Sequence, residues 1–159
     1  MRGYDLRWTD DLELVKSIIE QPEVLNYVME DGEDIVLPKS SASIKYALVT
    51  LADKPVGVFM FIKRLKLMWE VHTCLTLACR GRPALLAARA VIAMLFKDTD
   101  AECLTTFVPE TYLHVRSFTT AVGLEPDGYV PNSFYRNGIL QGLYSYHKLR
   151  GDSTCQQPQ

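Results

Sequence analysis

The 159-residue chain lacks an apolar run long enough to span a bilayer. Its longest apolar helix candidate, residues 84–96, is interrupted by Arg89 and falls short of the roughly 20 residues a span requires. It also lacks a basic block. With 17 Lys and Arg against 19 Asp and Glu, the net charge is −2, and no electrostatic footprint for nucleic acid stands out. The opening stretch, MRGYDLRWTDD, carries no apolar segment of the kind that forms a secretion signal, so none is expected. Cysteine is sparse: Cys74, Cys79, Cys103 and Cys155 show no Cys-x-x-Cys spacing. A disulfide framework is therefore not expected, and reduced thiols in a cytoplasmic setting are the default. His72 and Cys74 offer two ligand types with no third at a recognisable spacing, so no metal site is expected. Internal repeats, linkers and low-complexity segments are missing too.

What remains is the composition of one ordinary domain. Apolar residues make up 48% of the chain, enough for a real core. Residues 1–149 read as a single domain and 150–159, RGDSTCQQPQ, as a polar C-terminal tail. A short strand ends at Thr9, a plausible N-cap for a helix in which Leu12, Val15, Ile18 and Ile19 recur at helical spacing. Pro22 stops that helix and begins a second, followed by an acidic and then Ser-rich loop. KYALVTLA, PVGVFMFIKRL and LMWEVHTCLTLA read as a three-strand antiparallel meander, with Asp53-Lys54 as its first turn. An Ala-rich helix follows, then the strand AECLTTFVP and an amphipathic helix with Gly123 as its C-cap. Asn137-Gly138 between two β-rich runs predicts a type I′ hairpin. The order is β-α-α-β-β-β-α-β-α-β-β, an α+β or mixed α/β fold with about four helices on both faces of one mostly antiparallel sheet of six or seven strands.

Two places carry candidate chemistry. The first is the strand-to-helix junction CRGRPALL, residues 79–86. A helix N-terminus leaves backbone N–H groups unpaired and positive, which suits a phosphate. Gly81 permits a tight turn and close backbone approach. Arg80 and Arg82 add charge-assisted donors, and Pro83 fits the first helical position. A solvated surface turn would carry the same residues, so the junction alone leaves both readings open. The second place is the strand MWEVHTCLTL. Period-two alternation puts Trp69, Val71, Thr73, Leu75 and Leu77 on one face and Glu70, His72, Cys74 and Thr76 on the other. Glu70 and His72 then lie about 7 Å apart on one side, given the ~3.3 Å rise per residue. Either can serve as a general base if its surroundings tune it, or form a structural pair. Small residues of the Ala-rich helix read as core, with Arg89 snorkelling outward. Tyr112, His114, Arg116 and Ser117 read as the solvated face of the following helix, one or two of them edging a cleft.

The element order and the strand–RGR–helix junction together resemble the GNAT N-acetyltransferase superfamily over about residues 4–149. In that family the fourth strand splays from the fifth, and a loop of the form Arg/Gln-x-x-Gly-x-Gly/Ala after the fourth strand cradles the pyrophosphate of acetyl-CoA. Here WEVHTCLTLACRGRPALLAARAVIAMLF occupies that place, AECLTTFVP the fifth strand, and the Asn-Gly hairpin the closing strands. EVH, then RGR and a helix ending in LF, is also similar to degenerate GNAT-like proteins encoded by tailed phages. Two departures stand out. Aligning Arg80 with the first loop residue puts Pro83 and Leu85 at the glycine positions, and the Tyr that often serves as general acid is replaced near Thr119, with Tyr112 about two turns away.

The resemblance implies an acetyl-CoA-dependent N-acetyltransferase working by direct transfer to a primary amine on a small molecule or protein. Arg80, Gly81, Arg82, Ala84 and Leu85 would hold the pyrophosphate. The main chain of Thr76 and Leu77 would meet the pantetheine, and Glu70 or His72 would take the proton. The first two helices and the closing hairpin would shape the acceptor site, and a homodimer is possible. The alternative is a catalytically inactive GNAT-like structural, head-assembly or internal virion protein, with other virion proteins as partners and the host cytoplasm or the virion as its place. An open cleft between strands four and five beside residues 80–85 would favour the enzyme. A cleft filled by Leu85, Tyr112 or Phe118 would favour the scaffold.

Overall fold

The computed structural model describes residues 4–152 and has the expected order of elements. These are β1 (Tyr4–Thr9), α1 (Leu12–Ile19), α2 (Pro22–Val28), β2 (Ile44–Leu51), β3 (Lys54–Leu65), β4 (Met68–Leu75), α3 (Arg82–Asp98), β5 (Cys103–Pro109), α4 (Leu113–Val122), β6 (Glu125–Arg136) and β7 (Ile139–Leu149). The strands form one seven-stranded sheet in the order β1-β2-β3-β4-β5-β7-β6. Every neighbouring pair is antiparallel except β4–β5. That exception follows from connectivity, because α3 carries the chain over one face between the two strands, as a parallel crossover requires.

Strand alternation divides the core in two. Ala47, Phe59, Trp69, Val71 and Leu75 point to the face covered by α3, where they meet Ala87, Val91 and Leu95. Tyr46, Leu48, Val58 and Cys74 point to the other face, beneath Val15, Ile18, Ile19 and Val24 of α1 and α2. The small residues of α3 let its axis approach the sheet closely, and Ala84, Ala87 and Ala88 are buried there.

Several local expectations shift by a residue or two. Asp11, not Thr9, caps α1: its carboxylate accepts from Leu14 N–H at 3.0 Å, while Thr9 Oγ1 accepts from Asp11 N–H at 3.2 Å. The β2–β3 turn is Ala52-Asp53, both with positive φ, rather than Asp53-Lys54. Asn137 and Gly138 have φ of 54° and 73°, the type I′ geometry, and Gly123 closes α4 at φ 110° in the left-handed region. Pro83 is the second helical residue of α3, since Arg82 opens it. Arg89 does not point freely to solvent: its Nη2 donates to Ala121 O at 2.8 Å, so a guanidinium sits at the C-terminal end of α4, where the helix dipole favours it. At the end of the domain Arg150 is tied down, donating to the carbonyls of Ala101, Phe96 and Thr99. Residues 153–159 of the proposed tail, including Cys155, lie outside the described residues. No helix among the described residues is long and apolar enough to cross a membrane.

Candidate active site

β4 and β5 pair only at Met68–Cys103, Trp69–Leu104 and Glu70–Thr105. Beyond Glu70 the ladder stops, and a single side-chain contact, Thr106 Oγ1 to Val71 O at 2.9 Å, bridges the strands. The splay opens into a cavity of about 690 Å³ lined from both faces of the sheet. Its walls include Gly81 and Ala84 on one side, and Tyr27, Glu70 and His72 on the other. Tyr112 and Phe118 edge the cavity without filling it, and Leu85 is absent from its lining because it packs against the α3-side core.

Main-chain direction identifies which backbone groups face the splay. Successive residues of a strand present their N–H and C=O to alternate edges. Val71 O faces β5, as its bond to Thr106 shows, whereas Thr76 N–H donates away from it, to Val56 O at 3.0 Å. Thr73 and Leu75 therefore offer their amides and carbonyls to the cleft. This corrects the expectation for Thr76 and Leu77. β4 ends at Leu75, Thr76 is bonded to Val56 through both its N–H and its hydroxyl, and Leu77 is an exposed turn residue. The resemblance placed these two positions beyond the strand's end, where Thr76 faces β3 and Leu77 has left the strand.

At the start of α3, Gly81 takes φ 62°, a conformation that favours glycine, and no side chain caps the helix. Leu85 N–H bonds to Gly81 O, but the N–H groups of Gly81, Arg82 and Ala84 have no acceptor among the described residues. Pro83 supplies none. Arg80 and Arg82 are exposed, and neither pairs with a carboxylate among the described residues. The helix start thus carries three free donors and two uncompensated guanidiniums, and Arg80, Gly81 and Ala84 line the cleft.

Glu70 and His72 are brought together on the opposite wall. Glu70 is buried, its Oε2 accepting from Arg64 Nε at 2.6 Å and its Oε1 lying 2.8 Å from His72 Nε2. The His72 contact is close but poorly aligned, since Nε2 has no partner meeting hydrogen-bond geometry. At 2.8 Å the two atoms stand at hydrogen-bond distance, off the ideal angle. Burial pushes the Glu70 carboxyl up, but His72 and Arg64 together outweigh it and hold the group at about 2. Arg64 escaped sequence reasoning. The β3–β4 register, with Ile62 opposite Glu70, is what brings it within reach, and that register is a tertiary fact. Cys74, on the same face, is fully enclosed, and burial pushes its thiol up to about 12, which removes it as a nucleophile.

The end of the cavity beside α2 and the start of α4 is aromatic. Tyr27 meets Tyr112 and His114 edge-on at 5.4 Å each, and Tyr112 meets Phe134 at 6.1 Å. Glu23 of α2 stands at the same wall and makes no ion pair among the described residues. α1 contributes no lining residue. The hairpin is fastened over this end: Asp31 N–H donates to Tyr135 O, Asp31 Oδ2 accepts from Gly138 N–H at 2.9 Å, and Glu30 Oε1 accepts from Tyr135 N–H at 2.8 Å. Tyr112, Glu23 and Phe134 are thus joined by folding although they are far apart in sequence.

Solved structures share this architecture. A spermidine N-acetyltransferase from Vibrio cholerae, in complex with CoA and spermine, superposes with a TM-score of 0.77 at 14% identity, over 93% of this chain and 96% of that one. A GNAT-family acetyltransferase from Streptococcus pneumoniae gives 0.76 at 15% identity, over 94% and 100%. A ribosomal-protein alpha-N-acetyltransferase in complex with coenzyme A gives 0.76 at 11% identity, over 94% and 95%. At these identities the likeness is one of fold, and the fold is that of the GNAT acetyltransferases. No curated protein sequence matches the chain. Residues 6–154 match the family described as "Protein of unknown function (DUF2824)", and this GNAT-fold chain belongs to that family.

Proposed function

We propose that the protein is an acyl-CoA-dependent N-acetyltransferase that transfers an acetyl group directly to a primary amine. The observation that carries this reading is the continuity of one cleft, from Arg80 and the unpartnered amides of Gly81 and Ala84, through the β4–β5 splay, to Glu70 and His72. The residues fit the coenzyme. Three free N–H groups and the guanidiniums of Arg80 and Arg82 suit a pyrophosphate. The main chain of Thr73 and Leu75 suits the amides of a pantetheine arm laid along an unpaired strand edge. Acetyl-CoA supplies an acyl thioester when bound. The chain's own residues bind it, hold the amine on the far wall, exclude water by the aromatic lining, and take the proton through Glu70 or His72. Two of the solved GNAT structures were determined with CoA, which supports the same coenzyme here.

A second reading, a GNAT-fold scaffold without chemistry such as a virion or head-assembly protein, draws on two observations. Glu70, at the position expected of a base, is held at about 2 by His72 and Arg64 against its own burial, and Pro83 removes a donor from the anion site. Titration calorimetry with acetyl-CoA separates the readings. The enzyme binds with measurable heat and a raised melting temperature. The scaffold gives neither at millimolar ligand.

A further inference from the structure

The acyl-transfer reading leaves two candidates for the proton acceptor, and their surroundings tell them apart. Glu70 has both oxygens engaged by protein nitrogens, Oε2 by Arg64 Nε at 2.6 Å and Oε1 by His72 Nε2 at 2.8 Å, and its side chain is 10% exposed. His72 is asymmetric. Its Nε2 is fully buried and has Glu70 Oε1 as its close neighbour, while the side chain as a whole is 40% exposed and lines the cleft. Nδ1 has no hydrogen-bond partner among the described residues and is not among the buried unpartnered atoms, so it belongs to the open edge of the ring.

The position of the ring proton follows from elementary electrostatics. Two lone pairs facing each other at 2.8 Å repel, so the nitrogen beside a carboxylate oxygen carries the proton, and the lone pair is left on the other nitrogen. A carboxylate behind an imidazole in this way fixes its tautomer and stabilises the imidazolium that forms when the outer nitrogen takes a proton. Arg64, in turn, keeps Glu70 anionic, so that the carboxylate steadies Nε2–H without removing its proton. The other polar groups on the cleft near this ring are Glu23 and Tyr27 from α2, Arg80 before α3, and Tyr112 and His114 around the start of α4. None of these forms a hydrogen bond with either ring nitrogen among the described residues.

We infer that His72, through Nδ1, is the base of this site, and that Glu70 and Arg64 are positioning residues that fix its tautomer and orientation; the inference rests on the acyl-transfer reading of the cleft. In the step, the amine nitrogen bonds to the acyl carbon, and the carbon–sulfur bond breaks with its electron pair remaining on sulfur. The proton released by nitrogen goes to His72 Nδ1. The imidazolium then gives that proton to the departing thiolate, which restores the neutral ring.

The test needs no acceptor substrate. Proton and ring-nitrogen NMR of the full chain with labelled histidine, with His72 identified among the three histidines by its loss in His72→Gln, reports which nitrogen is protonated. The expected result is a slowly exchanging downfield Nε2–H signal from His72 at neutral pH, with Nδ1 carrying the lone pair. That signal is lost in Glu70→Gln and recovered in Glu70→Asp, a rescue that a merely space-filling Glu70 would not produce. An Nδ1–H tautomer in the wild-type protein overturns the inference, and so does an Nε2–H signal that persists in Glu70→Gln. The wild-type spectrum decides the matter even if Glu70→Gln fails to fold. Failure of the cleft reading shows separately, as absence of acetyl-CoA binding in a protein whose His72 tautomer is as expected.

Discussion

The two ends of the cleft handle charge in opposite ways. At the α3 end, Arg80 and Arg82 stand exposed without carboxylates, beside amides without acceptors. At the other end, Glu70 is buried and its two oxygens meet Arg64 Nε and His72 Nε2. Both ends hold charged side chains next to the same cavity, yet one is unfinished by the protein and the other is closed by it. Exposed, unpaired donors cost the free protein little, because water satisfies them until an anion arrives. A buried carboxylate has no such reserve, and leaving it unpaired would cost several kcal/mol, so the fold supplies Arg64 and His72. The open end leaves its charge to solvent, and the closed end is neutralised by the protein's own groups. That contrast underlies the proposal of His72, rather than Glu70, as the base.

The sharpest way to break this comparison is through acid. The Glu70 carboxyl lies at about 2 in the folded protein against 4.5 when unperturbed. Its folded value is depressed, so its stabilisation is fully present above about pH 4.5 and is lost as pH falls through 2. The depression corresponds to about 3 kcal/mol. Denaturant unfolding of wild type and Glu70→Gln between pH 6 and 2 should show a stability gap of that order at pH 6, closing toward pH 2. A gap independent of pH would mean that the closed end is not held by charge.

A smaller effect is expected at the open end. Arg80→Gln with Arg82→Gln should leave unfolding free energy within about 0.5 kcal/mol of wild type, because neither side chain has a partner to lose. Coenzyme affinity should fall by roughly thirtyfold, about 2 kcal/mol, and the loss should shrink at high salt. Calorimetry at two ionic strengths checks both. A large stability loss would mean that these guanidiniums serve the fold.

The smallest expected change is a gain. Pro83→Ala returns one N–H donor to the first turn of α3, where Pro interrupts a run of otherwise free amides. Coenzyme binding should tighten by about fivefold, on the order of 1 kcal/mol for one added hydrogen bond. Unchanged affinity would place the anion away from this turn.

Particular residues show how much of this was readable in advance. The helices were legible because Leu12, Val15, Ile18 and Ile19 repeat at helical spacing and Gly123 and Pro22 punctuate the chain, and the structure places α1, α2 and α4 there. The last hairpin was legible because Asn-Gly tolerates two positive φ values in a row. The open amides at residues 81–84 were legible as a helix start. The backbone of Thr73 and Leu75 was not, because which edge of β4 a residue's N–H and C=O face is set by its pairing with β3, and no local alternation specifies that register. Arg64 was hidden for a related reason: its approach to Glu70 is set by pairing across a hairpin whose register shifts between Lys63 and Leu65. The aromatic wall of Tyr27, Tyr112 and Phe134 gathers three separate elements and left no pattern along the chain.

By itself the sequence determined the order of elements, the turn chemistry and the helix start with its two guanidiniums, because each is encoded by spacing or residue type within a few positions. Only the tertiary structure decided that the β4–β5 ladder stops at Glu70, that one cleft joins Gly81 to His72, and that Arg64 closes on Glu70. Those depend on register and on packing between distant segments, which no local pattern specifies.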